Sequence, residues 1–454
     1  MKGSSCFPNA NKGQNMTEFV IVGRGGREHA LAEILGQAAA VFSFAGSDAI
    51  RHVAPPLDEG MTVALDRELG DAALSALLSR PGSIIVFGPE QPMAVGWVDQ
   101  IRIAEPDRLV LGPSQFAAQL ETSKWWAKEF MVRNGVPTGA AERIKSVDDF
   151  ERFTLQFEPP YVIKADGLAA GKGVAIFDQV GPARAFVDGI VSGDLFGRPQ
   201  PALIEEFLAG PELSVFLLLD GDSALQMGMA RDYKRAFDDD QGPNTGGMGS
   251  FTPVPDISAD DQRVIDQRIL RPILDGLRRE QLFYRGFLYV GLIRTERGFR
   301  VLEFNVRMGD PETQALLPTL GTRAAVWFEH AACGELNQLA DDMDIEAVAP
   351  NLYRFVSAQA AVCVVVAAES YPQASLQGER LSADVVPPAC RPAGGYIFHA
   401  GTRCCDGDWY ADGGRILNVV ATADRLDLAR QQCYILAQEV VDLKLRMRRD
   451  IAAF

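Results

Sequence analysis

The sequence predicts an α/β protein of several domains, and two patterns carry that reading. Over residues 18–114, short apolar runs ending in glycine alternate with stretches of helical spacing, whereas from Tyr161 onward the apolar runs come in pairs. The first pattern is that of a doubly wound parallel sheet, covered on both faces, with a ligand crevice at the carboxyl ends of its strands. The second is that of antiparallel hairpins. A chain of 454 residues, 47% hydrophobic and 23% charged, has the material for about three ordinary globular domains of roughly 150 residues each.

In the first region EFVIVG, AVFSFAG, SIIVFG and RLVLG read as buried parallel strands, with EHALAEILGQ and ALSALLS as helices between them. SKWWAKEFMVRNG (123–135) reads as a helix stopped by Gly135, with Pro137 just beyond. YVIKAD, GVAIF, ALIEEF and LSVFLLLDG follow as strands. FLYVGLIRT and FRVLEFN flank the turn residues Glu296, Arg297 and Gly298 and form a hairpin. Beyond about Pro350 the runs AVCVVVAA, YIFHAGT and RILNVVATA are strand-like, and 424–442 is an amphipathic helix. The polar opening, residues 1–16, lacks the apolar stretch of a secretory signal and reads as a disordered extension.

Charge and composition exclude several classes. A formal net charge of −16 repels nucleic acid and phosphates alike, so a phosphorylated substrate must be held by local cations and backbone N–H groups. The seven cysteines are scattered with no Cys-x-x-Cys spacing, and the four histidines form no His-x-x-x-His pair. That argues against a disulfide framework or a zinc site and for a reducing, cytoplasmic setting. No apolar run approaches the ~18 residues that span a membrane.

Four segments carry chemistry. GRGGREHA follows the first strand. Gly23 and Gly25 begin a dinucleotide fingerprint, but Glu28 stands where its third glycine belongs. A helix N-terminus with Arg27 beside it still suits a phosphate, and a tight turn with no ligand is the alternative. KADGLAAGKGVAIF places Lys164 on a strand before a loop holding Gly167, Gly171, Lys172 and Gly173. Its spacing and its exit into a strand differ from a Walker A loop, yet such a hairpin can fold over a triphosphate. A merely flexible surface hairpin is the bland reading. In EFNVRMGDPE, Glu303 and Asn305 share one strand face, and Arg307 continues it. A carboxylate beside an amide oxygen suits Mg²⁺, and a buried polar pair is the alternative. RDYKRAFDDDQGPNTGGMGS carries Asp232 and Lys234, then a mobile-looking loop with Asn244, Thr245, Gly246 and Gly247, suited to contacting substrate.

These segments, in this order, resemble the ATP-grasp superfamily, and within it the phosphoribosylamine–glycine ligase family. The carriers are VGRGGREHAL, FGPEQP, LGPSQFAAQLETSK, YVIKADGLAAGKGV, IEEFLAGPELS, DYKRAFDDDQGPNTGGMGSFTP, LEFNVRMGDPETQ and FHAGT, which together run from Glu18 to the late chain. The resemblance implies ATP-dependent ligation of glycine to 5-phosphoribosylamine through a glycyl phosphate, with Mg²⁺ or Mn²⁺ and no enzyme nucleophile. It implies a substrate domain over 17–118 and an ATP-grasp domain over 119–345, in which 141–208 is a mobile lid. A β-rich domain would occupy 346–454.

Residue by residue, it places Lys124, Lys164, Gly171, Lys172 and Gly173 on ATP phosphates. Glu205, Phe207 and Leu208 would hold adenine and Glu212 the ribose. Glu303 and Asn305 would hold the metal, and Arg307 the glycine carboxylate. Gly25, Gly26, Arg27, Glu28, His29, Glu90, Asp232, Lys234, Asn244, Thr245, Gly246, Gly247, Asp310 and Glu312 would face the substrates, with Asp232 and Lys234 joining Arg307 and Lys164 in catalysis. The expected partners are small molecules, with no nucleic acid, no membrane, and a monomer or weak homodimer. A carboxylase subunit of the same superfamily would share Lys124, Lys164, Glu303 and Asn305 but not GPNTGGMG or GDPETQ. A nicotinamide-binding protein would need the missing third glycine.

Overall fold

The computed structural model describes residues 16–168, 173–381, 394–441 and 444–454. The glycine-terminated apolar runs form a four-stranded parallel sheet in the order Ala40–Phe44, Glu18–Val22, Ile84–Phe87, Val110–Leu111. The helix Gly26–Leu35 follows the first strand, and Gly23 makes the turn between them with φ of +127°. A Cβ at Gly23 would stand 2.7 Å from Pro89 Cδ and 2.8 Å from Glu28 Cγ, so only glycine lets this corner close. The helix Lys124–Arg133 is capped by Ser123, whose hydroxyl accepts from the Trp126 N–H.

The paired runs form two further sheets that face one another, antiparallel throughout except where Ala224–Asp232 pairs in parallel with Leu352–Phe355. The smaller has the order Ala141–Ile144, Ala202–Glu205, Tyr161–Ala165, Val174–Phe177. It has a core of its own, in which Ile144, Phe150, Ile163, Val187, Ile190 and Ile204 are fully buried. The larger sheet has eleven strands and runs without a break into the last third of the chain. The seam is the strand Gly249–Thr252, which pairs with Ala224–Asp232 on one side and Ala360–Ala368 on the other. The strand-like runs beyond residue 350 therefore extend the central sheet, with the helix Leu426–Val440 packed on them.

The hairpin Arg285–Thr295 and Gly298–Asn305 closes at Glu296-Arg297, and the second strand is the edge of the large sheet. Its register slips between Gly291 and Leu292, which pair with Glu303 and Val301, so Leu302 is an extra residue. The slip inverts the alternation. Phe299 and Val301 enter the main core before it, and Phe304 and Val306 enter the same core after it. Glu303 and Asn305 are thereby turned out of the core and into the cleft below the smaller sheet.

With Leu302 present and no bulge, simple alternation would put Glu303 on the core face with Val301. An unpaired carboxylate in the core costs several kcal/mol, so the strand bulges instead. Deleting Leu302 removes the need for the bulge, because Leu292–Val301 and Gly291–Glu303 then pair in unbroken register with the same residues in the core. The expected result is a folded variant whose melting temperature stays near the wild type and which still binds ADP. Deleting Arg300 in its place, which leaves Leu302 and shifts Phe299 to the cleft face, should lose far more. Equal behaviour of the two variants in melting and ADP titration would contradict the assignment.

Candidate active site

The space between the two facing sheets is a cleft of about 450 Å³. Its floor is the bulged edge strand. Asn305 Nδ2 lies 3.5 Å from Glu303 Oε1, and Arg307 Nη2 donates to Asn305 Oδ1 at 2.9 Å. The three side chains thus stand in line, as their spacing predicts. Burial pushes the Glu303 carboxyl up, but Lys234, Lys164, Lys124 and Arg307 together outweigh it and hold the group below its ordinary value. The floor therefore presents an ionised carboxylate and an amide oxygen. Hard oxygen donors of this kind fit Mg²⁺, which takes few protein ligands and fills its octahedron with phosphate oxygens and water. Among the described residues no cluster of three or more His, Cys, Asp or Glu stands ready to hold a metal, so the substrate would have to supply the remaining ligands.

The roof and one wall are cationic. Lys164, on the smaller sheet, and Lys128, on the helix Lys124–Arg133, each bring Nζ to 3.0 Å from the same Glu205 oxygen. Burial disfavours the Glu205 charge, yet the two lysines lower its pKa overall. Lys124 Nζ donates to the Gly167 carbonyl at 3.0 Å, and Asp166 accepts from Ser123 Oγ at 3.0 Å and from the Trp125 N–H at 3.2 Å. The start of the glycine loop is thereby tied to the start of the helix. Burial lowers the pKa of Lys124 and of Lys128. Both are desolvated cations in an apolar lining that includes Ala127, Met131, Val174 and Leu302.

The far end belongs to Arg307. Its Nη2 lies 3.0 Å from Glu121 and its Nε 3.3 Å from Glu90. Asp310 and Glu312, the partners expected if Arg307 merely braced the strand end, make no ion pair with it. Arg27, Asp310 and Gly246 complete that end. Arg415, on the strand Arg415–Ala423, donates to the carbonyls of Gly246 at 2.6 Å and Asp310 at 2.9 Å.

Not every expected residue reaches the cleft. Glu28 is buried, accepting from the Gly25 N–H at 2.5 Å and Arg27 Nε at 2.6 Å. The helix N-terminus is thus capped by its own carboxylate, and the expected phosphate contact there reduces to Arg27. His29 is fully buried, its Nδ1 accepting from the His399 N–H at 2.8 Å. Gly26 abuts Asn418, 2.3 Å from where its Cβ would be. The loop 244–249, expected to be mobile, is held. Thr245 N–H donates to the Lys234 carbonyl at 2.7 Å, Gly246 N–H to Tyr371 Oη at 3.0 Å, and Gly247 N–H to Thr245 Oγ1 at 3.0 Å. Of this loop, Gly246 alone lines the cleft, and Asn244 lies outside it.

Glu212 and Lys234 form an ion pair, and Asp232, Lys234 and Glu312 gather around the buried Tyr289 behind Glu303. Phe207 is partly exposed and Leu208 packs near Gly139; neither touches the cleft as it stands. Gly171 and Lys172 lie outside the described residues, and Gly173 lines the cleft. Three charged lining residues are not among those expected: Glu121, Lys128 and Arg415. Glu121 accepts from the Val306 N–H at 2.7 Å, and burial, opposed by Arg307, pushes its carboxyl up to about 7.

A small sheet with its own core closing on a large one, with lysines above and a carboxylate–amide pair below, defines an ATP-grasp ligase. Family models agree along the chain: the N domain of phosphoribosylglycinamide synthetase matches residues 17–121, its ATP-grasp (A) domain 122–313 and its C domain 361–454. The chain belongs to the phosphoribosylglycinamide synthetase family. It is 38% identical to the phosphoribosylamine–glycine ligase of Streptomyces coelicolor, over 96% of this chain and 99% of that one, and 37% identical to that of Phenylobacterium zucineum, over 93% and 95%. The crystal structure of phosphoribosylamine–glycine ligase from Thermotoga maritima superposes with a TM-score of 0.80 at 32% identity, covering 96% of this chain and all of that one. A biotin carboxylase domain from Hydrogenobacter thermophilus, at 16% identity and a TM-score of 0.69, shares the fold.

Burial, and then the nearby charge of Asp232, push Glu312 from an ordinary 4.5 up to about 8. The folded protein therefore holds a proton that the unfolded chain releases. This contribution to stability is complete below the unfolded value and is lost as pH rises through the folded one. Without ligands, Glu312→Gln should match the wild type in stability at pH 4. At pH 8.5 it should be more stable than the wild type, by an amount on the order of a few kcal/mol. A gap that stays constant across that range would contradict the placement.

Proposed function

We propose that the cleft joins glycine to 5-phosphoribosylamine at the expense of ATP, giving glycinamide ribonucleotide, ADP and phosphate. The observation that carries this reading is the line Glu303, Asn305, Arg307 beneath Lys124 and Lys164. A carboxylate–amide pair and a guanidinium in that line suit a metal-bound γ-phosphate and a substrate carboxylate, which supports the reading. The names of the relatives, at 37–38% identity over nearly their whole length, support the same substrates. A carboxylase reading rests on neighbours at 16% identity or less, which share the fold alone.

In this reading adenine enters the apolar end beside Glu205, Phe207 and Leu208, and its ribose reaches Glu212. Lys124, Lys164 and the glycine loop grip the phosphates. Glu303 and Asn305 would hold Mg²⁺ or Mn²⁺, which would neutralise phosphate charge when bound. Arg307 orients the glycine carboxylate for attack on the γ-phosphorus, and its fixed donors meet the oxygen charge that develops. Arg27, Glu90, Asp310 and the Gly246 carbonyl line the end left for the sugar. The amine there attacks the glycyl carbonyl and releases phosphate, while Asp232 and Lys234 set the charge behind Glu303. The segment 141–208 has its own core, so it would open and close over the nucleotide as one body.

Glu303→Gln keeps the shape and removes the charge. Turnover should fall steeply and recover in part with excess Mg²⁺ or with Mn²⁺. Wild-type activity at limiting Mg²⁺ would remove Glu303 from the metal site. Arg307→Lys should cost about 10²–10³ in turnover, because an ammonium replaces two parallel hydrogen bonds with a point charge. The loss should appear in glycine kinetics, with ADP affinity largely kept. A uniform weakening of all ligands, with a matching fall in melting temperature, would reduce Arg307 to a brace between Glu90 and Glu121.

A further inference from the structure

Outside the cleft, a groove of about 700 Å³ lies between the edge of the parallel sheet and the start of the Arg285–Thr295 strand. Three guanidinium groups line it: Arg102 from the helix Trp97–Ala104, Arg108 just before the Val110–Leu111 strand, and Arg285. Asp107 is the one acid among its lining residues. Arg102 and Arg285 both stand over the ring of Phe283, with Cζ 4.9 and 5.1 Å from its centroid, and that residue is 50% exposed. Arg285 is fixed by donating to the carbonyls of Asp220 at 3.0 Å and Ala332 at 3.1 Å, which leaves its charge uncompensated. Arg108 is buried. Its Nη2 donates to Ser83 Oγ at 2.9 Å and its Nη1 meets Glu105 at 3.3 Å, but its buried Nε–H has no acceptor among the described residues.

We propose that this groove is an anion site for a small phosphate-bearing ligand, held by Arg102 and Arg285 beside Phe283. Guanidinium groups present planar forks that match phosphate oxygens, and they stack on aromatic faces. Arg108 is spoken for by Ser83 and Glu105, but Arg102 and Arg285 form no ion pair among the described residues. In a chain of net charge −16, two convergent unpaired arginines form a local exception to a field that repels phosphate. A purely structural role, two cations bracing one ring, leaves unexplained why like charges that repel each other share that ring with no carboxylate paired to either.

Equilibrium dialysis of radiolabelled inorganic pyrophosphate against the full chain, without divalent metal and at low ionic strength, tests this. Saturating ADP separates the groove from the cleft. About one equivalent should remain bound in the presence of ADP, and Arg102→Glu should weaken it at least ten-fold. Arg102→Gln, which keeps the packing, should weaken it less, and melting curves show that each variant is folded. If ADP displaces all the pyrophosphate, and Arg102→Glu removes one equivalent of what binds without ADP, the groove takes a phosphorylated nucleotide, which also supports the proposal. It is overturned if no pyrophosphate binds, or if both Arg102 variants bind it like wild type with and without ADP. A wild-type dimer in sedimentation that Arg102→Glu dissociates would also overturn it, making the groove a contact between copies.

Discussion

The Glu205 carboxylate, held between Lys128 and Lys164 with both ammonium groups 3.0 Å from one oxygen, is the interaction on which the cleft depends. One lysine comes from the helix of the main body and the other from the small sheet. All three groups are buried, so none can be left alone without a penalty of about 3–5 kcal/mol. The Lys128–Glu205 pair ties the small sheet to the main body on one side of the cleft. Lys128 also donates to Thr138 Oγ1 at 2.8 Å and to the Gly139 carbonyl at 3.2 Å, which leaves it no freedom to follow a ligand. Among the described residues Lys164 donates besides only to the Leu302 carbonyl, at 3.5 Å. It is thus the less constrained of the two lysines, while Lys128 keeps Glu205 neutralised.

From that pair outward, the cleft is an exercise in balancing buried charge. The bulge at Leu302 turns Glu303 and Asn305 toward the lysines and lets Phe299, Val301, Phe304 and Val306 remain in one core despite the extra residue. Arg307 then lies between Glu90, just after the Ile84–Phe87 strand, and Glu121, from the short helix Gln119–Thr122 before the Lys124–Arg133 helix. The last third of the chain is not a bystander. Its strands continue the large sheet, and its Arg415 holds the carbonyls of Gly246, Gly247 and Asp310 at the Arg307 end of the cleft. The cleft therefore draws on all three regions matched by the family models.

Much of this was legible in the sequence where local pattern decides structure. The glycine-ended apolar runs gave the parallel sheet, and the paired runs gave the antiparallel ones. The spacing of Glu303, Asn305 and Arg307 gave the line of polar groups on the floor. What escaped was set by partners far away in the chain. Lys128 reads as one more charge on a helix until Glu205 is beside it, and Arg415 is 169 residues from Gly246. Glu28 and His29 sit within a motif that names a substrate face, yet packing against Gly88 and His399 turns both side chains inward. The loop 244–249 is rich in glycine, and composition alone makes it look mobile. Gly247 is there for another reason: its φ is +108°, and Pro311 Cδ lies 2.5 Å from where a Cβ would be. The bulge is invisible to a period-two reading, which puts Val301 and Glu303 on the same face.

The central claim is that the cleft activates glycine as an acyl phosphate, with Arg307 and the Glu303–Asn305 pair assembled around the transferring group. It is tested most directly with glycine carrying ¹⁸O in both carboxylate oxygens. Turnover with ATP and phosphoribosylamine is followed by mass analysis of the released phosphate. If the carboxylate attacks the γ-phosphorus and the amine then displaces phosphate from the glycyl carbon, each phosphate should carry one ¹⁸O, and the amide product should retain the other. Unlabelled phosphate formed together with the amide product would mean that the carboxylate oxygen is never bonded to phosphorus, and would contradict the account.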